Sequence, residues 1–230
     1  NLASLKIKAK INNHQAGQFT RIGLKVNDDF ITRSYSYASA PKDEMLEIIY
    51  VNIPNGKLSP ILHKLEIGDK VSVMQQAIGY FTLDEIPDGE NLWMLATGTA
   101  LGVFLAILKT SIPWKRFKKV ILIHSVRYAE ELIYQDLIAE MKQRYPDQFI
   151  YLNSVTRSKV KGSFNFRIPD GLSSKKFQES AQIEINEGSQ FMVCGNPEMI
   201  KETTEVLKGF GLNKNRRAKP GNITVERYWV

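Results

Sequence analysis

Residues 94–108 read MLATGTALGVFLAIL and form the most apolar segment of the chain. The segment is too short to span a bilayer, and glycines and threonines interrupt it. An apolar run of strand length comes first, a turn containing Gly98 follows, and further apolar residues continue at the length of a helix. The stretch therefore predicts a buried strand that runs into a buried helix.

The same alternation continues toward the carboxyl end. Apolar runs of strand length alternate with segments of helical period after the turn-rich DEIPDGEN at 84–91. The runs are KVILIHSV (119–126), QFIYLNSVT (148–156) and SQFMVCGN (189–196), and the helical segments are YAEELIYQDLIAEMKQRY (128–145) and PEMIKETTEVLKGF (197–210). Such alternation predicts a parallel sheet covered on both faces, as in Rossmann-like α/β domains.

The amino-terminal part has a different rhythm. Up to about residue 88, short runs with a period of two are separated by turn residues, which is typical of a small antiparallel sandwich or barrel. One short helix is predicted in LSPILHKL (58–65), with Ser59 as N-cap and Pro60 at the first helical position. We therefore predict an antiparallel β-barrel domain at 1–88 and an α/β domain at 89–230.

Composition restricts the class of protein. The chain has 230 residues, of which 43% are apolar and 24% charged, as in ordinary globular proteins. Its single cysteine excludes an internal disulfide and any cysteine-ligated cluster, which favours a cytoplasmic location. The three histidines are widely separated, so we expect no metal site. The net charge of +7 favours an acidic partner, whether a nucleic acid, a protein or an anionic cofactor.

Residues 33–41 read RSYSYASAP, an unusual composition for a half-buried strand. A period of two places Arg33, Tyr35 and Tyr37 on one face, and small residues on the other. This face suits a flat ligand that carries phosphate, but it equally suits a solvent-exposed strand with a cation–π pair.

Phosphate-binding signals occur in the carboxyl-terminal part. The turn ATGTALG (96–102) would present backbone N–H groups at a helix start, although it lacks the G-x-G-x-x-G fingerprint and also fits a plain strand–helix turn. Arg127, Arg157 and Arg167 follow strands and could clamp a 2′-phosphate, although surface arginines are common. Cys194 also lies near the carboxyl end of its strand, where parallel sheets bind ligands. A buried cysteine, however, is usually a small hydrophobe.

The carboxyl terminus NITVERYWV (222–230) is apolar, aromatic and strand-like. Such a terminus must dock on the fold, either as an edge strand or over a ligand. The basic run KNRRAKPGN (214–222) before it fits a solvated loop or the rim of a site for an acidic partner.

Taken in order, these segments resemble the bacterial type of ferredoxin (flavodoxin)–NADP reductase. The resemblance covers essentially the whole chain and rests on RSYSYASAP, IPNGKLSP, ATGTALG, HSVRYAEEL, TR followed by GSFNFRIP, VCGNP and VERYW. It implies a flavoenzyme that moves electrons between NADPH and ferredoxin or flavodoxin through FAD. Two departures from the family pattern are Val103, where many relatives have proline, and Val230, which follows the terminal tryptophan.

The resemblance also implies roles for individual residues. Those implied to contact FAD are Arg33, Ser34, Tyr35, Ser36, Ile49, Tyr50, Val51, Asn52, Gly56, Lys57, Leu58, Ser59, Thr99, Tyr228 and Trp229. Those implied to contact NADP are Thr99, Val126, Arg127, Thr156, Arg157, Arg167, Gly195 and Asn196. Ser36, Cys194 and Glu226 are implied to surround the position of hydride transfer.

Two other functions remain open at this point. An NAD(P)H–flavin or quinone-type reductase would share the fold without needing a protein partner. A basic nucleic-acid-binding module is suggested by the net charge, but aromatic residues are not interleaved with the basic run. We expect a monomer that acts with acidic electron carriers, without nucleic acid or membrane.

Overall fold

A computed structural model describes residues 2–228 of the chain. The chain forms two compact units. The first comprises Asn1–Thr82 and Gly102–Thr110, and the second comprises Leu83–Leu101 and Ser111–Val230. The boundary between residues 88 and 89 stays a prediction.

The first unit is built from antiparallel strands. Its elements are β1 (Leu2–Ile7), β2 (Phe19–Val26), β3 (Asp29–Ser36), β4 (Leu46–Val51), the one-turn helix α1 (Ser59–Leu62) and β5 (Ser72–Val73). β1 pairs with β4, while β2 lies between β3 and β5. The antiparallel arrangement predicted for this part of the chain is confirmed, with its ladders divided between a two-stranded and a three-stranded sheet.

The connection of β2 to β3 explains the register of these two strands in the three-stranded sheet. Val26 pairs with Asp29, so only two residues form the turn. Asn27 adopts φ 55°, a left-handed conformation that asparagine tolerates better than most residues. This tight turn places Arg33 opposite Ile22 and Ser36 opposite Phe19.

The chain changes sheets at the end of β3. Ser36 is the last residue paired with β2, whereas Tyr37 bridges to Ile48 of β4. The core beneath these strands contains Ile22, Ile48, Tyr50, Leu58 and Leu62. Ser36 therefore lies where the strand leaves one sheet, and strict alternation of faces does not extend beyond it.

The second unit contains the predicted parallel sheet. Its strands are β6 (Asn91–Thr97), β7 (Lys119–Val126), β8 (Phe149–Val155), β9 (Ser189–Gly195) and β10 (Ile223–Arg227), and the helices are α3 (Ile112–Arg116), α4 (Gln135–Arg144), α5 (Ile168–Ser173), α6 (Lys176–Ala181) and α7 (Pro197–Gly209). The helix α2 (Leu101–Leu108) continues from β6, and its residues from Gly102 onward belong to the first unit. The spatial order is β10-β9-β6-β7-β8, with every pair parallel.

This order creates a topological switch point. The chain proceeds from β6 outward to β8 and then returns to the other side of β6. Loops leaving the carboxyl ends of β6 and β9 therefore diverge, which is where open α/β sheets bind ligands. Trp93, Ile121 and Phe191 share one face and pack with α5, α6 and α7 in a buried cluster.

Two local predictions need correction, and three short helices were missed. The helix predicted at 128–145 is instead a 3₁₀ turn at Ala129–Glu131 followed by α4, because Tyr134 adopts φ 58° between them. The N-cap of α1 is Leu58, not Ser59. The short helices α3, α5 and α6 were not predicted, because five or six residues carry too little periodicity.

Within residues 2–228, no helix has the length and apolar character needed to cross a membrane. The same range contains no group of three or more histidine, cysteine or acidic side chains arranged to hold a metal ion.

Candidate active site

The first unit presents a cation and an aromatic ring on β3. Arg33 is exposed, and its Nη1 donates a hydrogen bond to the Thr32 carbonyl at 2.7 Å. Tyr35 is half-buried and meets Tyr50 edge to face, with ring centroids 6.4 Å apart. Burial raises the pKa of Tyr35 to about 12, although the nearby Arg33 charge opposes the rise. The phenol is therefore neutral at physiological pH.

The end of β4 carries an unsatisfied acceptor. Ile49 and Tyr50 are buried, while Val51 and Asn52 are half-buried. The Oδ1 atom of Asn52 is buried and accepts no hydrogen bond from the described residues. A buried acceptor without a donor is costly, so this atom favours a polar ligand or water beside it.

The segment from Gly56 to Ser59 forms a tight turn. Gly56 N–H donates to the Ile53 carbonyl at 2.8 Å, and Ser59 Oγ accepts from Ile53 N–H at 3.1 Å. A Cβ on residue 56 would lie 2.9 Å from Ser59 Oγ, so a side chain there would displace this hydroxyl. Ser59 thus closes this turn instead of capping α1, while Lys57 is exposed and Leu58 is buried.

A glycine turn follows β6 in the second unit. Gly98 adopts φ 55° and begins the 3₁₀ turn Gly98–Ala100, which contains the buried Thr99 and leads into α2. The Nε2 atom of the fully buried His124 lies 3.0 Å from the Gly98 carbonyl oxygen. Since a carbonyl only accepts, Nε2 carries the proton of this bond.

The His124 ring is neutral. Burial lowers its pKa to about 4, although the bond to Gly98 and the charge of Glu131 oppose the fall. Its Nδ1 is buried and has no partner among the described residues. His124 was considered in the sequence only as a metal ligand, and its fixing of the Gly98 carbonyl was missed.

The ends of β6 and β9 are joined by a hydroxyl that the sequence reasoning also missed. Asn196 N–H donates to Thr97 Oγ1 at 3.0 Å. Gly195 adopts φ +133°, and a Cβ there would collide with Thr97 Oγ1. Asn196 Oδ1 accepts from Glu198 N–H and Met199 N–H, so this side chain caps α7. A threonine just before the glycine turn was the available signal.

Cys194 and Glu226 lie in one row across the sheet. The register pairs His124 with Ala96, Ala96 with Cys194, and Cys194 with Glu226. The Cys194 Sγ is 3.9 Å from Glu226 Oε2. Burial raises the pKa of the Cys194 thiol, and the neighbouring Glu226 charge raises it further. The cysteine is therefore a neutral thiol that can donate a proton in a weak hydrogen bond, not a thiolate nucleophile.

Two of the three predicted arginines lie on neighbouring strand ends. Arg157 N–H donates to the Arg127 carbonyl at 2.8 Å, and both residues are exposed. Immediately before them, Thr156 N–H donates to the carbonyl of the buried Val126 at 3.0 Å. Arg167 instead precedes α5 and pairs with Glu202 at 2.8 Å.

The described chain ends just beyond β10. Tyr228 is half-buried, and its N–H lies 3.4 Å from the Gly195 carbonyl oxygen. The aromatic tail is thus held at the end of β9 as far as residue 228. Trp229, expected to cover FAD, lies outside the described residues.

Family comparisons match both units. The sequence-family model of the oxidoreductase FAD-binding domain matches residues 1–81. The sequence-family model of the oxidoreductase NAD-binding domain matches residues 94–205. Curated relatives named flavodoxin/ferredoxin–NADP reductase occur in Escherichia coli K12 and Shigella flexneri. Each is 41% identical over 230 residues, covering 99% of this chain and 93% of the relative.

A solved structure agrees with these matches. The crystal structure of a ferredoxin NADP+ reductase from Neisseria gonorrhoeae with bound FAD and NADP superposes with a TM-score of 0.94 at 32% identity. The match covers 99% of this chain and 93% of that one. These similarities extend over both units, so the chain belongs to the flavodoxin/ferredoxin–NADP reductase family.

Proposed function

We propose that this chain is an FAD-dependent oxidoreductase that transfers electrons between NADPH and ferredoxin or flavodoxin. The observation that carries the proposal is the identity of 41% to the Escherichia coli relative over 99% of this chain. The name of that relative specifies NADP and both electron carriers. The Neisseria gonorrhoeae structure adds FAD and NADP as bound ligands of a relative.

The residues of the first unit fit FAD. Asn52 offers a buried acceptor with no donor among the described residues, and Gly56 sits in a turn where a Cβ would crowd Ser59 Oγ. Arg33 supplies an exposed guanidinium suited to a pyrophosphate oxygen. Tyr35 supplies a neutral ring held in place by Tyr50. We assign FAD contacts to these residues on that basis.

The residues of the second unit fit NADP. The turn at Gly98 lies at the switch point, where backbone N–H groups can face a pyrophosphate. The exposed guanidiniums of Arg127 and Arg157 follow adjacent strands and suit a 2′-phosphate. Arg167 already has an acidic partner in Glu202, so its contribution to phosphate binding would require exchanging that pair.

The chain's own groups would then position the reactants. Bound flavin supplies the conversion between hydride and single-electron transfer. In the second unit, the Cys194 thiol keeps its proton and the Glu226 carboxylate accepts a hydrogen bond beside it. These two side chains would orient a nicotinamide amide or ring edge through polar contacts. Ser36 is assigned a flavin contact by the family resemblance.

The partner is proposed to be an acidic carrier. The excess of 31 basic over 24 acidic residues would attract such a protein. We propose that the enzyme acts as a monomer in the cytoplasm, where its single cysteine needs no oxidising environment.

Two measurements on the purified protein test this function. An oxidised flavin should give an absorption band at about 450 nm. NADPH should reduce flavodoxin or ferredoxin faster than it reduces free flavin or a quinone. A colourless protein with no NADPH-dependent activity would contradict the proposal. Preference for free flavin or quinone would instead identify a partner-independent reductase.

A further inference from the structure

One carboxylate holds the backbone at the end of β7. Glu131 Oε2 accepts a hydrogen bond from Arg127 N–H at 2.8 Å and from Tyr128 N–H at 3.0 Å. In return, Glu131 N–H donates to the Tyr128 carbonyl at 3.1 Å. Glu131 therefore closes the 3₁₀ turn at 129–131 back onto the strand end.

The Arg127 peptide groups are fixed from two directions. Glu131 accepts from the Arg127 N–H, while the Arg127 carbonyl accepts from Arg157 N–H at 2.8 Å. The backbone position of Arg157 is thus coupled to that of Arg127. A change at Glu131 would loosen both strand ends from which the guanidiniums extend.

Ordinary capping explains only part of this arrangement. A cap of the 3₁₀ turn needs the bond to Tyr128 N–H, whereas the bond to Arg127 N–H reaches back beyond the turn. An acidic side chain near a phosphate site is also electrostatically unfavourable. We therefore expect the Glu131 carboxylate to offset this electrostatic cost by holding the backbone of the phosphate site in place.

We propose that Glu131 is a positioning residue that aligns Arg127 and Arg157 for the 2′-phosphate and so determines the preference for NADPH over NADH. This inference rests on the proposed function, and specifically on 2′-phosphate binding by these arginines. Glu131 acts through backbone hydrogen bonds and not by touching the cofactor. Two charge-assisted bonds to backbone amides are strong enough to hold such a turn.

The test uses the complete holoenzyme and four variants. Glu131→Ala removes both bonds, and Glu131→Gln keeps an oxygen acceptor while removing the charge. Glu130→Ala is the matched control, because Glu130 is an exposed neighbour with the same charge. Arg127→Ala tests the phosphate site itself. For each variant, kcat and KM are measured with NADPH and with NADH, together with inhibition by 2′-phospho-AMP and by AMP.

Glu131→Ala should raise the KM for NADPH by roughly tenfold, the equivalent of about one lost or misaligned charge-assisted bond. The kcat, the KM for NADH and inhibition by AMP should stay within about twofold, because a positioning effect on the phosphate leaves the rest of the cofactor unchanged. Glu131→Gln should restore most of the NADPH affinity. Glu130→Ala should not weaken NADPH binding.

Other results would overturn the inference. Equal losses with NADPH and NADH, equal effects of Glu130→Ala and Glu131→Ala, or no loss in Glu131→Ala would each do so. If Arg127→Ala leaves the NADPH preference intact, the proposed phosphate site itself is wrong. If Arg127→Ala abolishes the preference for NADPH and Glu131→Ala leaves this preference unchanged, only the positioning role of Glu131 is wrong. Should Glu131→Ala not fold, Glu131→Ser, too short to reach both amides, replaces it under the same criteria.

Discussion

At the scale of single residues, protonation states decide what the side chains of the second unit can do. The pKa of His124 is low because burial disfavours its cation, while that of Cys194 is high because burial and Glu226 disfavour its thiolate. Both groups are therefore neutral hydrogen-bond donors near neutral pH. His124 donates to Gly98, and Cys194 donates toward Glu226.

The role proposed for Cys194 can be tested by two substitutions. Cys194→Ala removes the donor, and we expect it to slow hydride transfer by about tenfold or more, since positioned polar groups commonly contribute that much. Cys194→Ser keeps an O–H and should retain most of the rate. Stopped-flow measurement of flavin reduction by NADPH gives the rate directly. Equal rates in both variants and the wild type would exclude a role in the chemical step.

At the scale of elements, the ends of β6 and β9 are held by a contact that tolerates no side chain at residue 195. Gly195→Ala would combine a strained φ of +133° with a collision against Thr97 Oγ1. We expect a loss of about 2–4 kcal/mol in the free energy of unfolding. Urea denaturation of the variant and the wild type measures this difference in the free energy of unfolding.

Gly209 offers the matched control for this prediction. It is the last residue of α7, and a Cβ there would meet nothing within 4 Å. Gly209→Ala should be neutral or stabilise by about 0.5 kcal/mol, because alanine has the higher helix propensity. Similar losses at both positions would show that the Thr97 contact is not the cause.

At the scale of the whole molecule, stability should depend on pH through His124. Its pKa is about 4 in the folded state and 6.5 as the unperturbed value, so the unfolded chain binds the proton first as pH falls. The neutral ring makes its full contribution to stability above pH 6.5, and this contribution is lost progressively as the pH falls toward about 4. Between about pH 7 and pH 5 the loss should be about 2 kcal/mol.

The variant His124→Gln isolates this effect. Glutamine can still donate to the Gly98 carbonyl but does not titrate, so its stability should change less with pH than that of the wild type. Burial also lowers the pKa of His14, so His14 adds a loss of the same sign to both proteins. Urea midpoints at the two pH values provide the comparison. Parallel pH profiles would contradict the prediction.

The net charge of +7 makes a second prediction at this scale. The kcat/KM for an acidic ferredoxin or flavodoxin should fall by about tenfold or more between about 0.05 and 0.5 M salt, because screening weakens steering of the carrier. Reduction of an uncharged quinone serves as the control and should change little. A carrier rate independent of salt would show that charge does not guide this partner.

The sequence alone carried the periodicities of both units, because a period of two and an alternation of strands and helices are local properties. The antiparallel strands, the parallel sheet and the strand–turn–helix at 94–108 were all predicted correctly. Motif order along the chain also sufficed for the family, which the comparisons confirmed.

Only the tertiary structure decided which distant groups meet. Thr97 contacts Asn196, His124 contacts Gly98, and Ser59 contacts Ile53 instead of capping its helix. Parallel strands far apart in sequence bring the first two pairs together, and a tight turn brings the third. The physical reason is that side-chain hydrogen bonds depend on register and turn geometry, which hydrophobic patterning does not specify.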